Sequence, residues 1–409
     1  MLLKRALVVL IIAVTCAATA LAGGYQIGEH GARGMAMGGA FVAQAADGSA
    51  IYYNPAGLSF QKGMNVLLGT TLIMPSTSFT GPTPSTASTD MVSQTFYPIN
   101  VYATYTMDNG LSFGVGVFNP YGLGTEWPAG WAGRYFAVKS DIQTFYINPS
   151  VSYKFSDQLS IGVGVSYVIG TVTLDRKLPM TPLPGDGGFK LDGDGTGINF
   201  NAGLLWKPTS ALSIGLSYRS ETKIDFEGDA TFSDIPAPLA DFFPSGTTGK
   251  ATLPMPSNLM AGIAYDITKD FTVEADFQSL GWSSYKELKV TFNKPVARTT
   301  SMAETVDWEN SILLRFGGEY RMEKLALRAG FIYDATPQPD KSVDPTLPDA
   351  NRIEITVGVG YQLTDMINAE VAYQYIKASD RTVTAPTNSF PGTYKTTANL
   401  FGVNLGFKF

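Results

Sequence analysis

Along most of the chain, apolar residues occupy every second position. Ile353, Ile355, Val357, Val359 and Tyr361 share one parity, against Arg352, Glu354, Thr356, Gly358, Gly360 and Gln362 on the other. The split recurs in Leu212/Ile214/Leu216/Tyr218 against Ser213/Gly215/Ser217/Arg219, in Phe271/Val273/Ala275/Phe277 against Thr272/Glu274/Asp276/Gln278, and again across 366–377. A period of two means β-strands, and one wholly apolar face means that each strand has a single dry side. A soluble sandwich alternates too. Here Gly, Ser and Asn crowd the second face almost from end to end, the pattern of a membrane barrel with lipid outside and a polar lumen.

Short links at 156–158, 209–211, 269–270, 323–324 and 363–365 alternate with long ones near 120–142, 175–195, 226–250, 290–305, 335–350 and 378–394. Tight periplasmic turns and elaborate outer loops give that rhythm. Counting strands between the links predicts an all-β fold, an antiparallel transmembrane β-barrel of about fourteen strands at roughly 10 residues per crossing, spanning 64–409. The last strand places Phe401, Val403, Leu405, Phe407 and Phe409 on one face.

Composition narrows the function classes. Only 16% of the residues are charged, and the formal net charge is −6, which argues against a nucleic-acid partner. One Cys and one His exclude a disulfide framework and a Cys/His metal centre. Asp192-Gly193-Asp194-Gly195 is a poor calcium loop, because the position of the closing carboxylate falls on Gly203. No cofactor and no metal are expected. Lys4 and Arg5 precede an uncharged stretch from Ala6 to Ala22 that ends in Ala20-Leu21-Ala22, the pattern of a secretory signal peptide over 1–22. Its removal takes away Cys16 and leaves a cysteine-free chain.

Residues 23–63 do not alternate. Gly31-Ala32-Arg33-Gly34 and the block Asp47 to Leu58, with Asn54-Pro55-Ala56 inside it, form a compact Gly/Ala-rich segment that suits a plug. These stretches, together with Pro120-Tyr121-Gly122-Leu123-Gly124-Thr125-Glu126-Trp127 and Gly133-Arg134-Tyr135, resemble the FadL family, the long-chain fatty acid and aromatic hydrocarbon transporters of Gram-negative outer membranes. The resemblance covers essentially the whole mature chain. It implies a fourteen-stranded barrel with the N-terminal hatch, 23–63, folded inside the lumen. It also implies capture of apolar ligands at an extracellular groove, an internal pocket, and sideways release through an inward kink of the third strand. The expected location is the outer membrane, and the expected partners are a hydrophobic small molecule, outer-membrane lipids and lipopolysaccharide, and the barrel-assembly machinery. The chain is expected to be a monomer.

Candidate residues follow, each with a plainer alternative. Gly114 and Gly116 share one parity of the third strand, and Asn119-Pro120 ends it, so this strand is the candidate for the lateral opening. Gly162/Gly164 and Gly358/Gly360 repeat the glycine pattern in ordinary strands. Asn54-Pro55-Ala56 is locally a turn signal; within the family block it reads as an anchor of the hatch near the third strand. His30 is either a proton switch or an ordinary polar hatch residue. A fatty acid needs an inward cation, and parity offers Arg219, Lys223, Arg315, Arg328 and Arg352, with Arg315 first and Arg219 second. Glu221, Glu274, Asp276, Glu319 and Glu354 are expected to face the same way, so an ion-pair network is the competing reading. Apolar loops around Trp127 and Trp131, and around Phe242 and Phe243, are candidates for ligand capture or for closing the mouth by packing together.

The favoured function is passive uptake of hydrophobic small molecules. A general diffusion porin or a structural or adhesive barrel are the alternatives. An enzyme is not expected, because a lone hatch histidine offers no activated nucleophile on the wall.

Overall fold

The structure, a computed structural model, describes residues 23–409; the expected signal peptide lies outside them. Fourteen antiparallel strands close into a barrel. In chain order they are β1 (Gly63–Thr80), β2 (Ile99–Thr106), β3 (Leu111–Phe118, resuming at Gly122–Glu126), β4 (Lys139–Ser156), β5 (Leu159–Pro179) and β6 (Asp186–Trp206). Then come β7 (Leu212–Arg219 and Thr222–Ser233), β8 (Thr247–Met255 and Asn258–Thr268), β9 (Phe271–Leu280 and Glu287–Val296) and β10 (Thr299–Thr305 and Ser311–Met322). The last four are β11 (Leu325–Asp334), β12 (Arg352–Gln362), β13 (Ile367–Ala378) and β14 (Gly392–Lys408). β14 pairs with β1 from Asn65↔Lys408 to Thr80↔Thr393, which removes both sheet edges.

The alternation maps onto the wall. Ile353, Ile355, Val357, Val359 and Tyr361 are exposed on the outside, whereas Glu354 and Thr356 are buried within. Several segments expected as loops are strand. β5 and β6 pair continuously out to Pro179↔Asp186, and β7 to β10 extend upward in the same way. Their outward residues there are charged, so the chain reads as solvent-facing loop although its backbone keeps the ladder. Lys223 also departs from expectation. β6 meets Arg219 at Asn201 and Asp225 at Thr196, five steps on β6 against six on β7. That one-residue bulge reverses the facing of everything above it, and Lys223 is exposed on the outside.

Inside the barrel sits the segment that precedes β1. It contains two short helices, α1 (Ala32–Ala36) and α2 (Ala50–Tyr53), and a 3-10 turn at Pro55–Phe60. Too short to satisfy their own backbone, these pieces bond to the lumen face instead. Ala32 N donates to Asn404 Oδ1 (2.6 Å), Thr356 Oγ1 donates to Ala36 O (2.9 Å), and the Phe41 and Val42 amides donate to Asp276 Oδ2 (2.9 and 3.0 Å). Ala43 N donates to Glu274 Oε1 at 2.6 Å. The wall's polar face is thus the hatch's hydrogen-bonding partner.

Ion pairs fasten its lower side. Glu319 accepts from Arg33 (2.9 Å), Arg328 (2.7 Å) and Arg321 (2.7 Å), and Arg328 also pairs with Glu370. Glu319→Ala would strip three arginines of their shared carboxylate, and breaking a buried pair from one side costs about 3–5 kcal/mol. The variant should lose its compact form at a lower temperature in heat-modifiability gels and conduct more ions in planar bilayers. If both readouts match the unaltered protein, Glu319 does not hold the hatch.

Candidate functional site

The third strand breaks, but not at its glycines. From Ser112 to Phe118 it pairs without interruption with β2 on one side and β4 on the other. A Cβ at Gly114 would meet Ile51 of the hatch at 2.9 Å, and one at Gly116 would meet the Tyr102 ring at 2.8 Å. These glycines therefore make room for the hatch and for Tyr102. The break lies at Asn119, Pro120 and Tyr121, all buried in succession with Phe118, so the chain turns inward. Pro120 has no N–H for the ladder. The Asn119 side chain replaces lost backbone bonds, accepting from Ile99 N (2.8 Å) and donating to Thr144 O (2.6 Å).

The hatch supplies the remaining partners. Ile27 N donates to Pro120 O (2.9 Å) and Gly122 N to Tyr25 O (3.0 Å). Asn54, expected as the kink's partner, is engaged elsewhere: its Nδ2 donates to Val42 O (2.9 Å) and to Leu204 O of β6 (3.0 Å). Pro55 and Ala56 lie beside it, with Ala56 O accepting from Ser152 on β4 (3.2 Å) and Ser160 on β5 (2.8 Å). The tripeptide ties the hatch to β4–β6. The kink is tied by Tyr25 and Ile27, whose isolated sequence carries no signal of pairing.

Above the kink the wall is thin. β2 ends opposite Thr70, and farther up its place between β1 and β3 is taken by the irregular segment 91–98. Ile73 and Phe96 exchange backbone bonds of 3.0 Å, and Val92 N donates to Glu126 O (2.8 Å). The Phe96 ring fills the space that a side chain at Gly124 would need. The sequence gives no signal for this placement of Phe96, since its segment neither alternates nor carries charge.

Behind this segment lies a cavity of about 440 Å³, within the roughly 300–1,000 Å³ range of small-ligand sites. Ile27, Ile73, Phe96, Leu123, Leu313 and Ile332 are among its apolar lining. Its polar end holds Arg315, Arg352, Glu29, Glu354, Asp334 and Gln374. Arg352 is ion-paired, donating to Gly24 O (2.7 Å) and Asp349 (2.5 Å) with Asp334 at 3.7 Å. Arg315 is not. It is buried, donates from Nη1 to Gly39 O at 3.4 Å, leaves Nε without a partner, and makes no ion pair among the described residues. Glu29 accepts from Gln374 (2.9 Å), and burial raises its pKa above the ordinary carboxylate range.

Other candidates take different places. Arg219 is not part of this lining: it donates to Asn148 and Ser166, and its guanidinium lies over the rings of Tyr52 and Phe118. His30 stacks on Tyr52 with centroids 3.4 Å apart, and burial lowers its pKa; it serves packing. Trp127 and Trp131 do not form an exposed capture groove. They are buried, stacked at 4.2 Å, and Trp127 Nε1 donates to Pro345 O (3.0 Å). Apolar loop residues from separated stretches cover one another here, closing part of the mouth. Phe242 and Phe243 are half-buried; Phe243 packs on Phe232 at 5.2 Å and Arg298 lies over Phe242. A second, smaller cavity of about 100 Å³ lies between that apolar rim and the main one, sharing Tyr25, Leu123, Ile142 and Leu347 with it.

A closed barrel whose lumen holds the N-terminal segment, with a broken third strand and an inner cavity, has the architecture of an outer-membrane transport protein. The family model described as "Outer membrane protein transport protein (OMPP1/FadL/TodX)" matches residues 13–409, and the chain belongs to that family. It is 27% identical to the 47 kDa outer membrane protein of Pasteurella multocida over 96% of each chain, and 24% identical to the long-chain fatty acid transport protein of Salmonella typhi over 94% of each. Its fold is similar to a Pseudomonas aeruginosa FadL homologue (TM-score 0.82, 20% identity, covering 95% and 100% of the two chains). It is also similar to the P. putida toluene transporter TodX (TM-score 0.74, 18% identity, 96% and 99%). The protein resides in the outer membrane of a Gram-negative bacterium.

The mouth carries a pH-dependent element. Asp344, in the loop after β11, accepts from Thr346 N (2.6 Å), and burial followed by the charge of Glu304 pushes its carboxyl up to about 7. An unfolded aspartate releases its proton near 4 (about 3.9). The group's contribution to the folded cap is therefore complete below about pH 4 and is lost as the pH rises through about 7. Limited proteolysis within 335–351 should accelerate between about pH 5 and 8, and Asp344→Asn should flatten that dependence. An equally steep profile in the variant would exclude Asp344 as the source.

Proposed function

We propose that this protein takes up long-chain fatty acids passively: it gathers them at the outer rim, holds them in the 440 Å³ cavity, and releases them sideways past segment 91–98. One observation carries the reading. An apolar-lined cavity reaches the β3 break, and its polar end presents Arg315, a buried guanidinium with an unpartnered Nε and no ion pair among the described residues. A carboxylate completes such a group, whereas a neutral hydrocarbon leaves it as it is. Relatives are named for both ligand types, fatty acid and toluene, and Arg315 favours the acid.

The lateral route is supported by what blocks the straight one. Below the cavity, Glu319, Arg33, Arg321 and Arg328 cross-link the hatch to the wall. An apolar chain gains nothing there; passage into the bilayer keeps the transfer worth about 0.8 kcal/mol per CH₂. The hatch-filled lumen equally disfavours a general diffusion porin. The protein acts as a monomer, with outer-membrane lipids and lipopolysaccharide around it and the barrel-assembly machinery needed only for insertion.

Arg315→Ala should weaken palmitate binding by about 1.5–3 kcal/mol, the worth of a charge-assisted hydrogen bond, and leave toluene binding within error. Equal losses for both ligands in equilibrium binding would assign Arg315 a structural role. The exit is tested separately with Val92→Cys/Glu126→Cys, residues joined by a backbone bond of 2.8 Å in a mature chain that has no other cysteine. The oxidised pair should bind palmitate normally but stop its delivery to the bilayer, and dithiothreitol should restore it. Undiminished delivery by the oxidised form would close the case for this exit.

A further inference from the structure

The barrel wall opens a second time, on the far side from the β3 break. β8 and β9 pair from Asn258↔Leu280 downward and again at Gly249↔Phe292 and Lys250↔Thr291, but not in between. The arc 281–290 faces the shorter stretch 251–257 and does not follow the wall. Its first turn, Trp282–Ser284, folds inward, and Trp282 packs on Tyr25 of the hatch (4.6 Å) and on Trp308 (4.8 Å). β8 is left with a free edge that contains Pro254, a residue with no N–H to strand. The result is an outward-facing cleft of about 670 Å³.

Its position and lining are specific. The lipid-facing belt ends just below it at Tyr218, Leu259 and Phe277, so the cleft lies at headgroup level. Lys286 and Lys289 on the β9 lip make no ion pair among the described residues, whereas on the β7–β8 side Lys250 is held by Glu227 (2.9 Å) and Lys223 lies near Glu221 (3.8 Å). Asp225 and Glu287 also line the cleft, and Asp225 accepts from Thr252 (2.6 Å). The floor is continuous with the interior: Phe226, Glu227 and Ala251 line both the cleft and the 100 Å³ inner cavity.

We propose that this cleft is a lateral entrance for long-chain carboxylates already dissolved in the outer leaflet. The headgroup lies between Lys286 and Lys289, and the chain passes over Phe226 towards the inner cavity. The inference rests on the uptake reading above, adding a way in from the membrane to the way out. A fatty acid partitioned into the leaflet presents its carboxylate at this depth, so it reaches the cavity without crossing water.

The test uses the full chain in phosphatidylcholine vesicles, with a benzophenone amino acid at Thr252 on the cleft or at Thr171 on the exposed wall of β5, and tritiated palmitate as probe. Palmitate should label position 252 well above position 171. Lys286→Gln/Lys289→Gln should cut that labelling by about fivefold per lysine, since a cation near the membrane surface is worth about 1 kcal/mol towards an anion. Lys286→Arg/Lys289→Arg should restore it, which separates charge from folding. Equal labelling at the two positions, or indifference to the lysines, overturns the entrance. So does loss of the signal when lipid A is added to the vesicles, because the lysines then seat a lipid phosphate. Palmitate binding measured alongside distinguishes the failures. Binding that persists with a silent 252 probe removes the entrance alone, and binding lost from every form removes the uptake reading with it.

Discussion

A strand that crosses a bilayer must satisfy every backbone N–H and C=O within the protein, because lipid offers neither donor nor acceptor. Everything else in this barrel depends on that constraint. It closes β14 onto β1, and it limits where the wall is able to break. The inward turn at Asn119–Tyr121 persists because Asn119 and the hatch residues Tyr25 and Ile27 accept and donate what the ladder no longer does. The hatch is thus more than a stopper: part of its backbone is the wall's missing neighbour.

The same exchange explains the polar lumen. α1, α2 and the 3-10 turn are too short to be stable alone, and Asp276, Glu274, Asn404 and Thr356 on the barrel satisfy the hatch backbone. Where charge is concentrated, around Glu319, it fastens the hatch and fills the periplasmic side. Where charge is left incomplete, at Arg315, it faces the apolar cavity. Buried charges are normally paired; in the lining of this cavity Arg315 Nε and Asp334 Oδ1 are the charged-group atoms left without a hydrogen-bond partner. The aromatic residues divide similarly. Trp127 and Trp131 cover the mouth, whereas Tyr25, Trp282 and Trp308 brace the hatch against the wall.

Strand identity, facing and number were legible in the chain itself, because a two-residue period with lipid on one side leaves each position only one of two faces. The hatch was legible as the stretch where that period is absent, and Arg315 as an arginine on the inward parity. Lys223 was misread for the same reason that the others were read well: parity carries forward until a bulge, and the bulge before Thr222 is visible only in the β6–β7 register.

What the sequence alone determined is the local rule, lipid-facing or lumen-facing, and the family to which its motifs belong. The tertiary structure decided which residues meet across the barrel. It gave the β3 break to Tyr25 and Ile27, left Asn54 to β4–β6, and set Phe96 against Gly124. It separated Arg315 from Arg219 although both face inward, and it opened the wall between β8 and β9 by turning Trp282 towards the hatch. These pairings join residues distant in sequence. No periodicity encodes them, because they arise from the space and the unsatisfied polar groups that remain once the barrel has closed.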